Sequence, residues 1–160
     1  EAAPQEAVVP SADDGDLNGE TPALADPNFV RIVSAKTGQL LAERNGTISF
    51  AQPGSNDLAA QWRVETYNGH KRLKNRSTGH YVSSAISGDS LVAAASGKEL
   101  AAQWRVDDVL GNKTLANAAA SGGLVVQTAG SAAPKLSAAA TIRDESAQWT
   151  FAPIAGDVRY

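Results

Sequence analysis

The sequence predicts an all-β domain of three look-alike units, each of four short strands, closed around one shared core and preceded by an acidic extended arm. Three observations carry this prediction. The phrase Leu-Ala-Ala-Gln-Trp-Arg-Val is written at 58–64 and again at 100–106, and a weaker copy, Ser-Ala-Gln-Trp-Thr-Phe, stands at 146–151. Its Gln-Trp pairs, Gln61-Trp62, Gln103-Trp104 and Gln148-Trp149, fall 42 and 45 residues apart. A second marker, a hydroxyl residue and Gly followed by an apolar run, recurs at 37–42, 78–83 and 121–126, with Gly38, Gly79 and Gly122 spaced by 41 and 43 residues. Two markers that keep nearly one period define an internal repeat.

The first 28 residues form the arm. They hold four Pro, seven acids and no Lys or Arg. Such a stretch has little to bury and builds no core of its own. The remaining chain carries 14 Lys and Arg against ten acids, so an acidic arm joins a mildly basic body. The units follow at about 29–69, 70–111 and 112–156, with a short tail at 157–160. In the first unit, Phe-Val-Arg-Ile-Val-Ser, Gln-Leu-Leu-Ala-Glu, Thr-Ile-Ser-Phe-Ala and Gln-Trp-Arg-Val-Glu read as strands. Thr-Gly, Asn-Gly and Pro-Gly-Ser-Asn punctuate them as turns. The second and third units repeat the alternation. The one stretch with helical character, at 97–104, is too short for a helix of several turns.

Four short strands cannot bury a face alone, so the units share a core, and closure removes exposed strand edges. Trp62, Trp104 and Trp149 are the predicted plugs of that core, one per unit. Val64, Val106 and Phe151, two residues on, point to the same side of their strands.

Composition narrows the chemistry. There is no Cys, so neither disulfides nor thiolate metal sites exist. No apolar run approaches the roughly 20 residues that span a bilayer as a helix. The chain opens at Glu1 rather than Met, which fits removal of a secretory leader or trimming of the chain. Asn45, Asn75 and Asn112 head Asn-x-Ser/Thr acceptors, candidate glycan sites in a secreted protein. The basic run His70–Arg76 places Arg72, Lys74 and Arg76 on one strand face, with Leu73 inward. That face reads either as an anion patch or as a solvated surface that discourages edge pairing. A net charge of −3 argues against nucleic acid. His70 and His80 sit at no metal-ligand spacing, and Asp107-Asp108 point to opposite sides of a strand. No nucleophile elbow or phosphate loop is present, so the chain reads as non-catalytic and without cofactor or metal.

Three units of about 40 residues, each with a Thr-Gly-x-x-Leu-like turn and a Gln-Trp ending, resemble the ricin B-type β-trefoil family over 29–155. The resemblance implies a carbohydrate-binding or lectin-like module. Sugar sites of that family use an Asp just after the Gly turn, an aromatic platform and polar residues near a Gln-x-Trp. A carboxylate accepts bonds from vicinal hydroxyls, and an aromatic face packs on the apolar face of a sugar. Carried onto this sequence, the Asp position falls on Ala42, Ser83 and Val126, and the next residue on Glu43, Ser84 and Gln127. The platform falls on Phe50, Val92 and Leu136, and the Gln on Ala60, Ala102 and Ala147. Unit one departs least, and Glu43, Phe50, Asn56 and Asp57 are its candidate saccharide residues; the bland alternative is an ordinary exposed loop.

The expected function is therefore a secreted, non-catalytic carbohydrate-binding module with a degenerate sugar site, its partner a glycan. A different class competes: an accessory subunit that binds a larger secreted enzyme and has lost sugar binding. A third reading, a protease inhibitor, would use the loops at 52–58 and 128–136.

Overall fold

The computed structural model describes residues 29–85, 88–119, 123–127 and 133–154. The arm at 1–28, the tail at 157–160 and part of the loop at 128–136 lie outside the described residues.

Among the described residues twelve strands form, in chain order: β1 (Phe29–Ser34), β2 (Leu40–Arg44), β3 (Thr47–Ala51), β4 (Trp62–Tyr67), β5 (His70–Asn75), β6 (Tyr81–Ser84), β7 (Leu91–Ala94), β8 (Trp104–Val109), β9 (Asn112–Asn117), β10 (Leu124–Val126), β11 (Lys135–Ser137) and β12 (Trp149–Pro153). Six of them close a ring in which every neighbour is antiparallel: β1 pairs β4, β4 pairs β5, β5 pairs β8, β8 pairs β9, β9 pairs β12, and β12 returns to β1. The other six make three hairpins, β2–β3, β6–β7 and β10–β11. Ring closure leaves the barrel strands no free edge. The tight turns use Asn45-Gly46 and Asn68-Gly69, all four residues at positive φ, as the primed turns of two-residue hairpins require. Among the described residues, no helix is long and apolar enough to cross a membrane.

Each Gln-Trp is preceded by one turn of 3-10 helix, at Leu58–Ala60, Leu100–Ala102 and Glu145–Ala147. The helical character at 97–104 is therefore real but a single turn long. Trp62, Trp104 and Trp149 are fully buried. Their indole N–H groups donate to the carbonyls of Leu41 (2.9 Å), Val82 (2.9 Å) and Val125 (3.0 Å), the same residue of each unit's hairpin. Ile32, Leu73 and Leu115 join the three indoles in one core, with Val64, Val106 and Phe151 packed against it. The repeated phrase thus supplies three equivalent plugs, each with its one polar atom satisfied.

The glutamines before the tryptophans are equally repetitive. Gln61, Gln103 and Gln148 donate from Nε2 to the carbonyls of Asn56, Lys98 and Ile142, which fixes the loop leading into each 3-10 turn. In units two and three the Oε1 is met from the unit's own first strand. His70 Nδ1 lies 3.0 Å from Gln103, and Asn112 Nδ2 donates to Gln148 at 3.0 Å. Phe29 occupies the equivalent place in unit one and has nothing to donate. Arg76 reaches over the Phe29 ring, at 4.5 Å, and donates to Gln61 instead.

Candidate functional site

The four candidate saccharide residues of unit one are not gathered into a site. Register explains why. Glu43 faces Ile48 and Leu41 faces Phe50 across the β2–β3 hairpin, so all four share one face, turned to the core. Phe50 packs on that core and stacks on Trp149 with ring centroids 6.3 Å apart; it is no exposed platform. Its counterpart in unit two is Ala93, opposite Val82, rather than Val92. Glu43 is only 7% exposed, and its carboxylate accepts from Thr78 Oγ1 at 2.6 Å and meets His80 Nδ1 at 2.9 Å. Asn56 accepts from Arg31, while Asp57 caps the first 3-10 turn and pairs with Arg44.

The Glu43 contact is structural, and a counterpart recurs between other units. Gln127, at the equivalent position, accepts from Thr37 and donates to Gln39. In both cases the residue five after one turn glycine ties the hydroxyl and the following side chain of another unit's turn. Ala42, Ser83 and Val126, where the family carries its Asp, are all buried. Ala42 belongs to a small apolar cluster with Leu40, Ala51 and Ala60, and Val126 to one with Ala116, Leu124 and Ala147. Apolar packing stands where a polar pocket would need to open.

The three glycan acceptors also differ in setting. Asn45 is exposed at a hairpin tip. Asn112 is half-buried and bonded to Gln148 and Thr150. Asn75 is 2% exposed, and its Nδ2, the atom a glycan would occupy, donates to Ala59 O at 2.8 Å. A glycan at Asn75 is incompatible with this fold. Among the described residues no group of three His, Asp or Glu is arranged to hold a metal.

The concentration of chemistry lies instead on the outward face of β4, β5 and β6. Val64 and Leu73 pair inward, so alternation turns Arg63, Glu65 and Tyr67 outward from β4, and Arg72 and Lys74 from β5. Arg72 lies between two aromatic rings, 4.2 Å from Tyr67 and 4.7 Å from Tyr81, and its Nη2 donates to Glu65 at 2.8 Å. Gly97 closes on the same side chain: a Cβ there would come within 2.8 Å of Arg72 Cδ. Burial and the neighbouring Glu65 carboxylate hold the Tyr81 phenol above its ordinary pKa, so it remains a donor, 3.4 Å from Glu65. The three residues named as an anion patch therefore divide. Arg72 is ion-paired, Arg76 serves Gln61 and Phe29, and Lys74 lies 5.9 Å from the Tyr81 ring centre. Sequence reading missed Arg63, Glu65, Tyr67 and Tyr81. The period-two alternation of Gln-Trp-Arg-Val-Glu-Thr-Tyr was the available signal for the first three.

No family model matches the chain, and neither does any curated protein. Solved structures do. The chain is similar to a GlcNAcα1-4Gal releasing endo-β-galactosidase from Clostridium perfringens, with TM-score 0.73 and 22% identity over 80% of this chain, and it spans 33% of that enzyme's length. It is also similar to ThreeFoil, a designed 3-fold symmetric protein, with TM-score 0.65 and 19% identity, over 78% of this chain and 98% of that one. Cytolethal distending toxin from Actinobacillus actinomycetemcomitans is similar at TM-score 0.68 and 17% identity, over 80% of this chain and 92% of that one. At these identities the likeness is one of fold. The chain is a β-trefoil, consistent with the ricin B-like kinship that its Gln-Trp and Thr-Gly repeats suggest.

Proposed function

We propose that this domain is a non-catalytic, lectin-like carbohydrate-binding module whose ligand face is the outward sheet of β4–β6 and none of the three family pockets. One observation carries the reading: two partly exposed tyrosines held around a fixed guanidinium–carboxylate pair. Aromatic faces pack on the C–H face of a sugar ring, while Arg72 and Glu65 offer a donor and an acceptor to adjacent hydroxyls. The tight contacts of Arg72 fix this arrangement before any ligand arrives, which lowers the entropic cost of binding. The similar galactosidase acts on a glycan by its name, which agrees with this reading without assigning its substrate to this chain. A glycan array followed by calorimetric titration tests it. Tyr81→Ala is expected to weaken the best ligand at least about tenfold, roughly 1.4 kcal/mol. No binding to any neutral or acidic glycan at millimolar concentration would end the reading.

A second reading, an accessory subunit that docks on a secreted enzyme, is favoured by Leu110. It is 92% exposed, at the tip of the β8–β9 hairpin, with φ +52°. Asn holds the equivalent left-handed position in the β2–β3 and β4–β5 turns; a bulky apolar residue there is strained and gains nothing from water. Leu110→Asn is expected to stabilise the domain by about 1 kcal/mol, from relief of left-handed strain, as read from its urea midpoint. A stoichiometric partner from the native source that is lost on this substitution supports docking through Leu110. A partner retained equally by both forms removes it.

A further inference from the structure

One row of side chains crosses four neighbouring strands on the outward face. Phe29 of β1 is the register partner of Arg63 in β4, Arg63 of Lys74 in β5, and Lys74 of Tyr81 in β6. The row reads aromatic, cation, cation, aromatic, and at about 4.8 Å per strand it is roughly 14 Å long. Three features of its centre cost stability as the protein stands. Arg63 and Lys74 are like charges directly opposite each other, an arrangement that destabilises a sheet. Neither forms an ion pair among the described residues, because Glu65, the acid beside them, is committed to Arg72. Three buried side-chain polar atoms among the described residues lack a hydrogen-bond partner, and two are guanidinium Nε atoms of this face, on Arg63 and Arg72.

From this we infer that the face takes an anionic saccharide, one whose sulfate or carboxylate group sits between Arg63 and Lys74 while its rings rest toward Phe29 and Tyr81. The inference rests on the glycan-binding reading and names the ligand class of that face. An anion between the two cations converts their repulsion into two attractions. The guanidinium of Arg63 is already stacked over Phe29, 5.0 Å from its ring centre, and so is held in place for planar recognition of an oxyanion. Uncharged sugars leave that repulsion standing and gain only the aromatic contacts and the hydroxyl bonds of Arg72 and Glu65.

The test is calorimetric titration of the whole chain with a heparin-derived hexasaccharide, a hyaluronan hexasaccharide, chitohexaose and an oligothymidylate of matched charge. The heparin and hyaluronan arms separate sulfate from carboxylate as the bound group. At least one of them is expected to bind tenfold or more tightly than chitohexaose, with affinity falling as NaCl is raised. The double variant Arg63→Gln, Lys74→Gln is expected to lose at least tenfold affinity for that ligand, with a shallower salt dependence. Its unfolding midpoint should be unchanged or higher, because the like-charge pair is gone. Arg105→Gln, at an exposed side chain of β8, controls for general loss of charge and should bind as the parent does. Chitohexaose bound as tightly as the acidic sugars overturns this inference and leaves the glycan-binding reading standing. Failure of all three saccharides overturns both. Oligothymidylate bound as tightly as the acidic sugars overturns the saccharide assignment.

Discussion

Trp104→Ala is expected to destabilise the domain by about 3–5 kcal/mol, the usual result of deleting a buried large aromatic. Trp104 is fully enclosed and sits in a core with Trp62, Trp149, Ile32, Leu73 and Leu115. Removal of the indole leaves a cavity that the ring of barrel strands cannot close over, since each strand is hydrogen-bonded on both sides. Single domains are stable by only about 5–15 kcal/mol in all, so a large share of the margin goes with one residue. Urea unfolding followed by far-ultraviolet circular dichroism measures the loss. Trp104→Phe separates the two contributions. It keeps most of the packing but strips Val82 O of its donor, and a buried carbonyl left dry costs about 1–3 kcal/mol. The bonds to Leu41, Val82 and Val125 are equivalent, so Trp62→Phe and Trp149→Phe should cost much the same. A Trp104→Ala loss no larger than the roughly 0.5 kcal/mol typical of surface positions would refute a core shared by three indoles.

That core was legible in the sequence because repetition marks it. A Gln-Trp written three times at one period names the plugs, and alternation from Trp adds Val64, Val106 and Phe151. The roles of Gln61, Gln103 and Gln148 were not legible, because their partners lie on other strands and in the preceding loop. Phe50 shows the limit most clearly. Read along the chain it is an aromatic in a strand and fits an exposed platform; the register that puts it opposite Leu41 sends it to the core. Glu43 fails in the same way, since the Thr78 and His80 that occupy it belong to another unit. On the outward face, the basic run at 70–76 was visible as sequence and its alternation was right for Arg72 and Lys74. What gives those cations their setting comes from β1, β4 and β6. The row from Phe29 to Tyr81 exists only through pairings between strands distant in the chain.

Asn75→Ala is the substitution that best tests how one unit is fastened to the next. Asn75 stands opposite Trp62, and Asn117 stands opposite Trp104 in the same register. Asn75 Nδ2 donates to Ala59 O, in the 3-10 turn of unit one, at 2.8 Å. Its Oδ1 accepts from the backbone N–H of Ser77 at 2.9 Å and of Thr78 at 3.2 Å, in the turn of unit two. Asn117 repeats the pattern with Ala101 O and Ala119 N–H. One amide therefore holds the entry to Trp62 and the turn whose Thr78 secures Glu43. Truncation to Ala strips all three backbone groups of their partner, at about 1–3 kcal/mol for each that water cannot reach, so a loss on the order of 3 kcal/mol is expected. Asn75→Asp keeps the acceptor and the shape but turns a carboxylate toward Ala59 O in a buried place. Only the protonated acid can donate there, so burial and that carbonyl push its pKa up in the folded state, against the downward pull of the Ser77 and Thr78 N–H groups on Oδ1, and the expectation is that the first two prevail. With the folded value above the unfolded one, the missing stability is present at acid pH and lost as pH rises through the folded value. Urea midpoints of Asn75→Asp should therefore climb toward the parent on acidification, relative to those of Asn75→Ala under the same conditions. Parallel pH profiles for the two variants would show that the amide donor to Ala59 is not what joins these units.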